Sequence, residues 1–468
     1  MAPQTPPISN SSRFLGANVN PVSLKQRGGL PTWAQIKGLW EASGLREKLL
    51  FTLICLAIFR LAAQIPIWGI NPVALKQVAN SQLLGFLDMF SGGALTSLSV
   101  VALGIGPYIT SSIMVQLLAA AIPRLEELQK EEGEAGRRKL AQLTRILSVA
   151  LAVVQSILII KLFATNPQLL MPGVNPVVFY PLAVVALVAG SLFTLWLAEL
   201  MSDRGLGNGS SLLIFAGIIT GIPFYAKQTA TLVGGDPKKA FSLVLLLAIY
   251  LITIGLIIVL QEAVRKVPII STKRQVGRTV YGGQQTHIPF KINPAGVMPI
   301  IFAFAILALP QTVIQFYQNT HPTGLGFEFI RFYGHWLAPG TVGYIVMQFS
   351  LIIFFTFFYA SIVPSLQPRE IAEQLRKYGS SIPGIKPGRP TAEKLGQIMS
   401  KTMFIGAVAL GIITLIANSA TSLTGITTLA GLGSSALIIM VGVAQDTMNQ
   451  VKVHLLAKQY EGFLAKPA

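Results

Sequence analysis

The sequence predicts an all-α polytopic membrane protein with ten transmembrane helices, and three observations predict it. Only 12% of the 468 residues are charged, against about 25% in an ordinary soluble domain, while 52% are hydrophobic and the mean hydropathy is +0.62. Polar groups are too few to cover a globular surface, so much of the solvent must be lipid. Apolar runs near the ~20 residues that cross a bilayer recur ten times along the chain. Finally, the basic residues alternate by side: 29 of the 36 Lys and Arg fall in loops and ends on one side, 5 on the other, and Arg60 and Lys161 lie within spans. Cytosolic loops carry such an excess, which places both termini in the cytosol.

The spans are predicted at 47–66, 99–122, 143–164, 179–200, 210–232, 240–262, 294–318, 340–363, 402–418 and 428–446. Residues 1–45 are rich in Pro, Ser and Asn. They lack the apolar core of a signal peptide and the arginines of a transit peptide, so they are expected to be a disordered cytosolic tail. The missing transit peptide points to a prokaryotic or organelle-encoded chain. Residues 46–262 hold the first half and run through the sixth span. A cytosolic loop follows at 263–293, then the seventh to tenth spans within 294–446, with a large cytosolic loop at 364–401. Residues 447–468 form a cytosolic C-terminal tail. Ten spans divide naturally into two pseudo-symmetric five-helix halves, an arrangement common in membrane transport folds.

One region breaks this pattern. From Gln82 to Ile122, "QLLGFLDMFSGGALTSLSVVALGIGPYITSSIMVQLLAAAI" runs without a basic residue. As a helix it would span about twice the hydrocarbon depth. Its glycines, and Pro107, are places for the chain to bend. The later part makes the second span. The earlier part, 83–97, carries Asp88 and has two readings: a segment dipping into the membrane against protein, or a helix lying on the outer leaflet.

Chemistry is scarce. The sole cysteine, Cys55, sits in the first span, and His287, His321, His335 and His454 make no ligand spacing. No nucleophile–base set, metalloprotease motif or phosphate loop occurs, so neither an enzyme nor a metal or other cofactor is expected. An ion-coupled secondary transporter of small solutes is the alternative that ten spans and broken helices would suit. It wants ionisable groups near the membrane midplane. Glu199, Asp203, Glu262 and Asp446 instead lie near cytosolic span ends, and Arg60 and Lys161 toward outer ends where long side chains snorkel.

Two features remain. Loops 263–293 and 364–401 together hold 13 basic residues, more than orienting the chain requires; such clusters attract polyanions or lipid headgroups. Ile109 and Ile113 share a helix face by their spacing of four, as do Ile214 and Ile218. By spacing alone such isoleucines are usually lipid-facing or packing residues and only seldom line a pore.

Five stretches, in order, resemble the SecY family of protein-conducting channels: "MFSGGAL…ALGIGPYITSSIMVQLL", "IPRLEELQKEEGEAGRRKLAQLTR", "RGLGNGSSLLIFAGI", "THIPFKINPAGVMPIIFA" and "PREIAEQLRKYGSSIPGIKPGRPTAEKL". The resemblance covers nearly the whole chain from Arg46 onward. It departs in the first span, where Ala62 and Trp68 stand for a usual glycine and proline. It implies a central hourglass pore that translocates unfolded polypeptides and releases transmembrane segments laterally into the membrane. The pore ring would be Ile109, Ile113, Ile214, Ile218, Ile301 and Ile439. A plug would include Phe86, Asp88, Met89, Phe90, Gly92 and Gly93, and the lateral gate would be lined by Gln116 and Asn293. Arg265, Lys266, Arg274 and Arg369 would dock a SecA motor and the ribosome. Small SecE-like and SecG-like subunits, signal sequences, nascent polypeptides and the lipid bilayer complete the implied partners. The implied membrane is a bacterial inner membrane or a thylakoid.

Overall fold

A helix occupies each of the ten predicted spans. The computed structural model describes residues 45–71, 91, 93–95, 97–130, 133–164, 170–234, 237–271, 274–276, 279–281, 285–307, 328, 332, 334–338, 340–363, 367–426 and 434–464. The expected N-terminal tail lies outside these residues except for its last position. So do Phe86, Asp88, Met89, Phe90 and Gly92 of the expected plug.

In chain order the helices are α1 (Leu45–Ala62), α2 (Gly106–Ala121), α3 (Pro123–Lys130), α4 (Gly133–Ala164), α5 (Pro176–Arg204), α6 (Gly209–Val233) and α7 (Pro237–Glu262). After a small sheet come α8 (Met298–Leu307), α9 (Val342–Ile362), α10 (Pro368–Lys377), α11 (Arg389–Thr424) and α12 (Ser434–Leu464). Among the described residues, α4, α5, α6, α7, α9 and α11 are long and apolar enough to cross a bilayer by themselves. At least half of each apolar stretch is not buried, and residues such as Leu251, Val259, Val185 and Val346 are exposed. An apolar outer face around a packed interior is what lipid as solvent requires.

Local chemistry sets the helix starts. Asn175, Asn208 and Thr341 cap α5, α6 and α9, each side-chain oxygen accepting from backbone N–H groups of the first turn. Pro176 and Pro107 occupy first-turn positions of α5 and α2, where a missing N–H costs nothing.

The second span differs from expectation. Predicted as 99–122, its helix begins only at Gly106. Residues 97–105 form successive turns whose apolar side chains, Leu98, Val101, Ala102 and Ile105, are buried in the bundle. The hydropathy is that of a span, but α5 supplies a groove that fits bare backbone. At Gly190 a side chain would sit 1.9 Å from the carbonyl oxygen of Val100, and one turn further the Thr194 hydroxyl donates to the carbonyl of Gly104 at 2.9 Å. On the other side, Ile67 and Val100 exchange backbone hydrogen bonds with Leu98 and Ile65. Backbone groups in a membrane must be satisfied, and here tertiary partners do what a helix would have done. Leu98 sits at φ 42, a left-handed conformation costing a non-glycine residue roughly 1–2 kcal/mol, and its side chain is only 1% exposed.

The two long basic loops also differ. Residues 263–293 build strands rather than a plain loop: β1 (Val264–Ser271) pairs antiparallel with β4 (Gln285–Lys291), and β2 (Arg274–Val276) with β3 (Thr279–Tyr281). The fold is therefore mostly helical, not wholly so. From the other basic loop, β5 (Ser380–Ser381) joins the free edge of β1. Val267, Ile269 and Phe290 of the sheet share a buried cluster with Ala372 and Leu375 of α10 and Leu395, Met399 and Met403 of α11. The two basic loops thus form one platform. The helix of the ninth predicted span, α11, extends into it, starting at Arg389 rather than 402, and that of the tenth, α12, continues through the expected tail to Leu464.

Within the membrane part, α2, α4, α5 and α6 pack in sequence, while α7 lies chiefly on α11 and α12, and α9 on α11. The two groups meet where α6 touches α7 and α12.

Candidate pore and its polar entrance

The six isoleucines converge. Ile109 and Ile113 come from α2, Ile214 and Ile218 from α6, Ile301 from α8 and Ile439 from α12. All six are between 0% and 9% exposed and belong to one central buried cluster. None faces lipid. Isoleucine is restricted at its first torsion in a helix, so the side chains form a shape-stable apolar centre. Close helix crossing holds them there: at Gly442, one turn from Ile439, a side chain would lie 1.8 Å from Cγ1 of Val297, one turn from Ile301.

One helical turn along from the isoleucines the character changes. A cavity of about 540 Å³ is lined by Ser211, Met298 and Val443, each one helical turn from Ile214, Ile301 and Ile439 respectively. Further down its walls are polar: Asn208, Lys291, Asp446, Thr447, Gln450 and His454 also line it. The backbone N–H of Gly207 in the α5–α6 turn donates to Oε1 of Gln450 on α12 at 2.8 Å, joining the walls. Sequence reasoning missed this cavity, yet three of its lining residues, Ser211, Met298 and Val443, lie at i−3 or i+4 from the isoleucines.

The end of the expected plug segment returns to this centre. Ser91, Ala94 and Leu95 are buried, and Ala94 belongs to the same cluster as the isoleucines. Gly93, at φ +86, makes the turn, and Ser91 Oγ accepts from the Leu95 N–H at 3.0 Å. Of the described residues of the segment, Ser91, Ala94 and Leu95 are packed among protein, while Gly93 is exposed.

Gln116 and Asn293 are not brought into contact by hydrogen bonding. Gln116 donates to Ser112 one turn back at 3.1 Å, while Asn293 Nδ2 donates to the Gly296 carbonyl at 2.8 Å. Asn293 is 2% exposed, and among the described residues its Oδ1 has no hydrogen-bond partner.

Arg265, Lys266 and Arg369 are exposed on the platform; Arg274 lies in β2, and its side chain is outside the described set. Arg369 occupies the first turn of α10 beside Glu370. A cation there opposes the helix dipole, so helix stability does not explain it. Among the described residues no group of His, Cys, Asp and Glu could hold a metal ion.

The family model described as SecY matches residues 99–448. The chain belongs to the SecY family. It is 42% identical to the protein translocase subunit SecY of Synechococcus elongatus over 436 residues, covering 91% of this chain and 95% of that protein. It is 40% identical to the SecY of Aquifex aeolicus, over 92% and 99% of the two chains. Solved structures share the fold: a protein-conducting channel superposes with a TM-score of 0.65 at 17% identity, over 90% of this chain and 95% of that one. Sec61 from a canine ribosome–channel complex does so with 0.61 at 16%, over the same shares. As a SecY, the chain is a multi-pass membrane protein and a protein-conducting channel subunit, not an enzyme. The small-solute carrier weighed on the sequence is set aside by this membership.

Proposed function

We propose that the six isoleucines are the resting seal of this channel, the cavity beneath them its cytosolic vestibule, and the segment around 83–97 its plug. The observation that carries the reading is the juxtaposition on three helices of a buried aliphatic residue and, one turn toward the cytosol, the lining of a polar cavity. Burying an isoleucine is favourable by about 1.5–3 kcal/mol, so wetting all six costs on the order of 10 kcal/mol. An empty ring therefore stays dry and blocks ions. A polypeptide threading it substitutes its own contacts for those lost, and dispersion forces do not discriminate among side chains. The polar vestibule receives the chain while still hydrated.

Gln116 and Asn293 would line the lateral exit. Each is satisfied within its own element or unpaired, so parting them breaks no mutual bond. The basic platform would dock the SecA motor and the ribosome through Arg265, Lys266, Arg274 and Arg369. Two structural relatives, canine Sec61 and yeast Ssh1, were solved in ribosome complexes. Small SecE-like and SecG-like subunits would accompany the channel. Charge placement supports cytosolic termini, and the cyanobacterial relatives support a prokaryotic plasma membrane or a thylakoid.

The test is to replace Ile109, Ile214 and Ile301 together by Gly and record resting ion conductance in planar bilayers. Removing half the seal should produce a leak; conductance at the wild-type level would refute the ring.

A further inference from the structure

We propose that Gln348 is a positioning residue for the seal, and that α9 is the strut setting the distance between the two ring helices of the second half, α8 and α12. This rests on the isoleucine ring as read above.

Gln348 lies on α9 toward the outer side, 2% exposed. Its Oε1 accepts from Asn418 Nδ2 on α11 at 3.0 Å, and its Nε2 donates to Ser435 Oγ on α12 at 3.0 Å. One side chain thus joins three helices. Ser435, itself 5% exposed, is one turn from Ile439 along α12. Seven residues along α9, Phe355 meets Phe302 edge-on with centroids 5.7 Å apart, and Phe302 is the neighbour of Ile301 on α8. The same helix therefore touches both ring-bearing elements, one through a hydrogen bond and one through an aromatic contact. The spacing of α9 from α11 is also fixed, because at Gly411 a side chain would come within 2.4 Å of the ring of Phe349.

Between helices in lipid, apolar contact supplies little net drive, since acyl tails are as apolar as leucine. It also leaves axial register free to slide. The two bonds of Gln348 are directional and sheltered from water. Rotating or sliding α12 by a fraction of a turn would break the bond to Ser435 and swing Ile439 off the centre. The amide stabilises that register as well as satisfying a buried polar group.

The experiment is single-channel recording of resting conductance for the full-length chain with its native small subunits, alongside export of a signal-bearing client. Gln348→Leu keeps the volume and removes both bonds; interhelix bonds of this kind predict about a three- to tenfold rise in resting open probability. Ser435→Ala, a smaller change that leaves packing intact, should give part of that rise. Combined with Gln348→Leu it should add nothing. Gln348→Glu provides the readout that packing alone would not move. When its buried carboxyl is protonated it can accept from Asn418 and donate to Ser435, so the seal holds at acidic pH and is lost as pH rises. If Gln348→Leu and Ser435→Ala both seal like wild type while Ile439→Gly leaks, the strut is refuted and the ring survives. If Ile439→Gly also seals, the ring fails and the strut with it. Should Gln348→Leu not accumulate, Ser435→Ala and the pH profile of Gln348→Glu decide the matter alone.

Discussion

Placing a methyl group at residue 190 is the sharpest probe of how the first half is held together. In Gly190→Ala the new Cβ would stand 1.9 Å from the Val100 carbonyl oxygen and 2.5 Å from its carbon. Because such contacts below 3.0 Å essentially never occur, the 97–105 stretch must withdraw by more than 1 Å. It has nowhere free to go. The bond from Val100 N–H to Ile65 at 3.0 Å and that from Ile67 N–H to Leu98 at 3.1 Å hold its far side. Thr194 loses reach of Gly104 as the chain moves. Overpacking costs about 1–3 kcal/mol and the lost hydrogen bond a further 0.5–1.5 or so, giving a total of about 1.5–4.5 kcal/mol. Since α2 begins one residue after this stretch, Ile109 and Ile113 shift with it. Thermal unfolding in detergent and resting conductance together measure the effect. Gly255→Ala is the control, because nothing lies within 4 Å of the added group there and alanine favours a helix. If Gly190→Ala behaves like Gly255→Ala in both assays, the account of the second span is wrong.

Three more outcomes are expected. Gly442→Ala should destabilise by about 1–3 kcal/mol through the clash with Val297 Cγ1, and adding Val297→Ala should recover part of it; no recovery in calorimetry would deny that crossing. A double-mutant cycle on Arg145 and Glu199, 2.7 Å apart with side chains 53% and 32% exposed, should give a coupling below about 1 kcal/mol, and a value of several kcal/mol would contradict screening at that site. Arg369→Glu should abolish motor-driven export without changing the melting temperature, and normal export would remove Arg369 from the docking face.

The sequence showed the spans because a bilayer imposes length and hydropathy directly, and the isoleucine pairs of α2 and α6 because a helix repeats every 3.6 residues. It did not show that the second span starts as turns. Residues 99–105 have the hydropathy of a helix, and the preference for turns comes from Gly190 and Thr194, about 90 residues away. The strands were half legible. In "RKVPII", Val267 and Ile269 alternate toward the core and Lys266 toward water, a period of two obscured by the basic residues that made a loop the natural expectation. The pairing of β5 with β1 was not legible, since two serines carry no strand signal. Nor was the Gln348 strut. A lone glutamine in an apolar helix announces a polar partner but not which helix supplies it.

How firmly each part is joined bears on how the channel opens. Gly190 brings α5 against the chain before α2, Gly442 brings α12 against Val297, and Gly411 brings α11 against Phe349. Each of these close approaches lies within one group of helices, where sliding apart would cost backbone-deep packing. At the boundary the joints are different: isoleucine side chains meet at the centre, and the Gly207 N–H reaches the flexible amide of Gln450 in the wall of the polar cavity. Side-chain contacts of this kind are non-directional and can be replaced, one for one, by the side chains of a passing polypeptide. Backbone contacts through a missing Cβ cannot. On the reading proposed above, strain applied by a threading chain would therefore resolve at the ring first, and the two groups of helices would part as bodies before either one deforms.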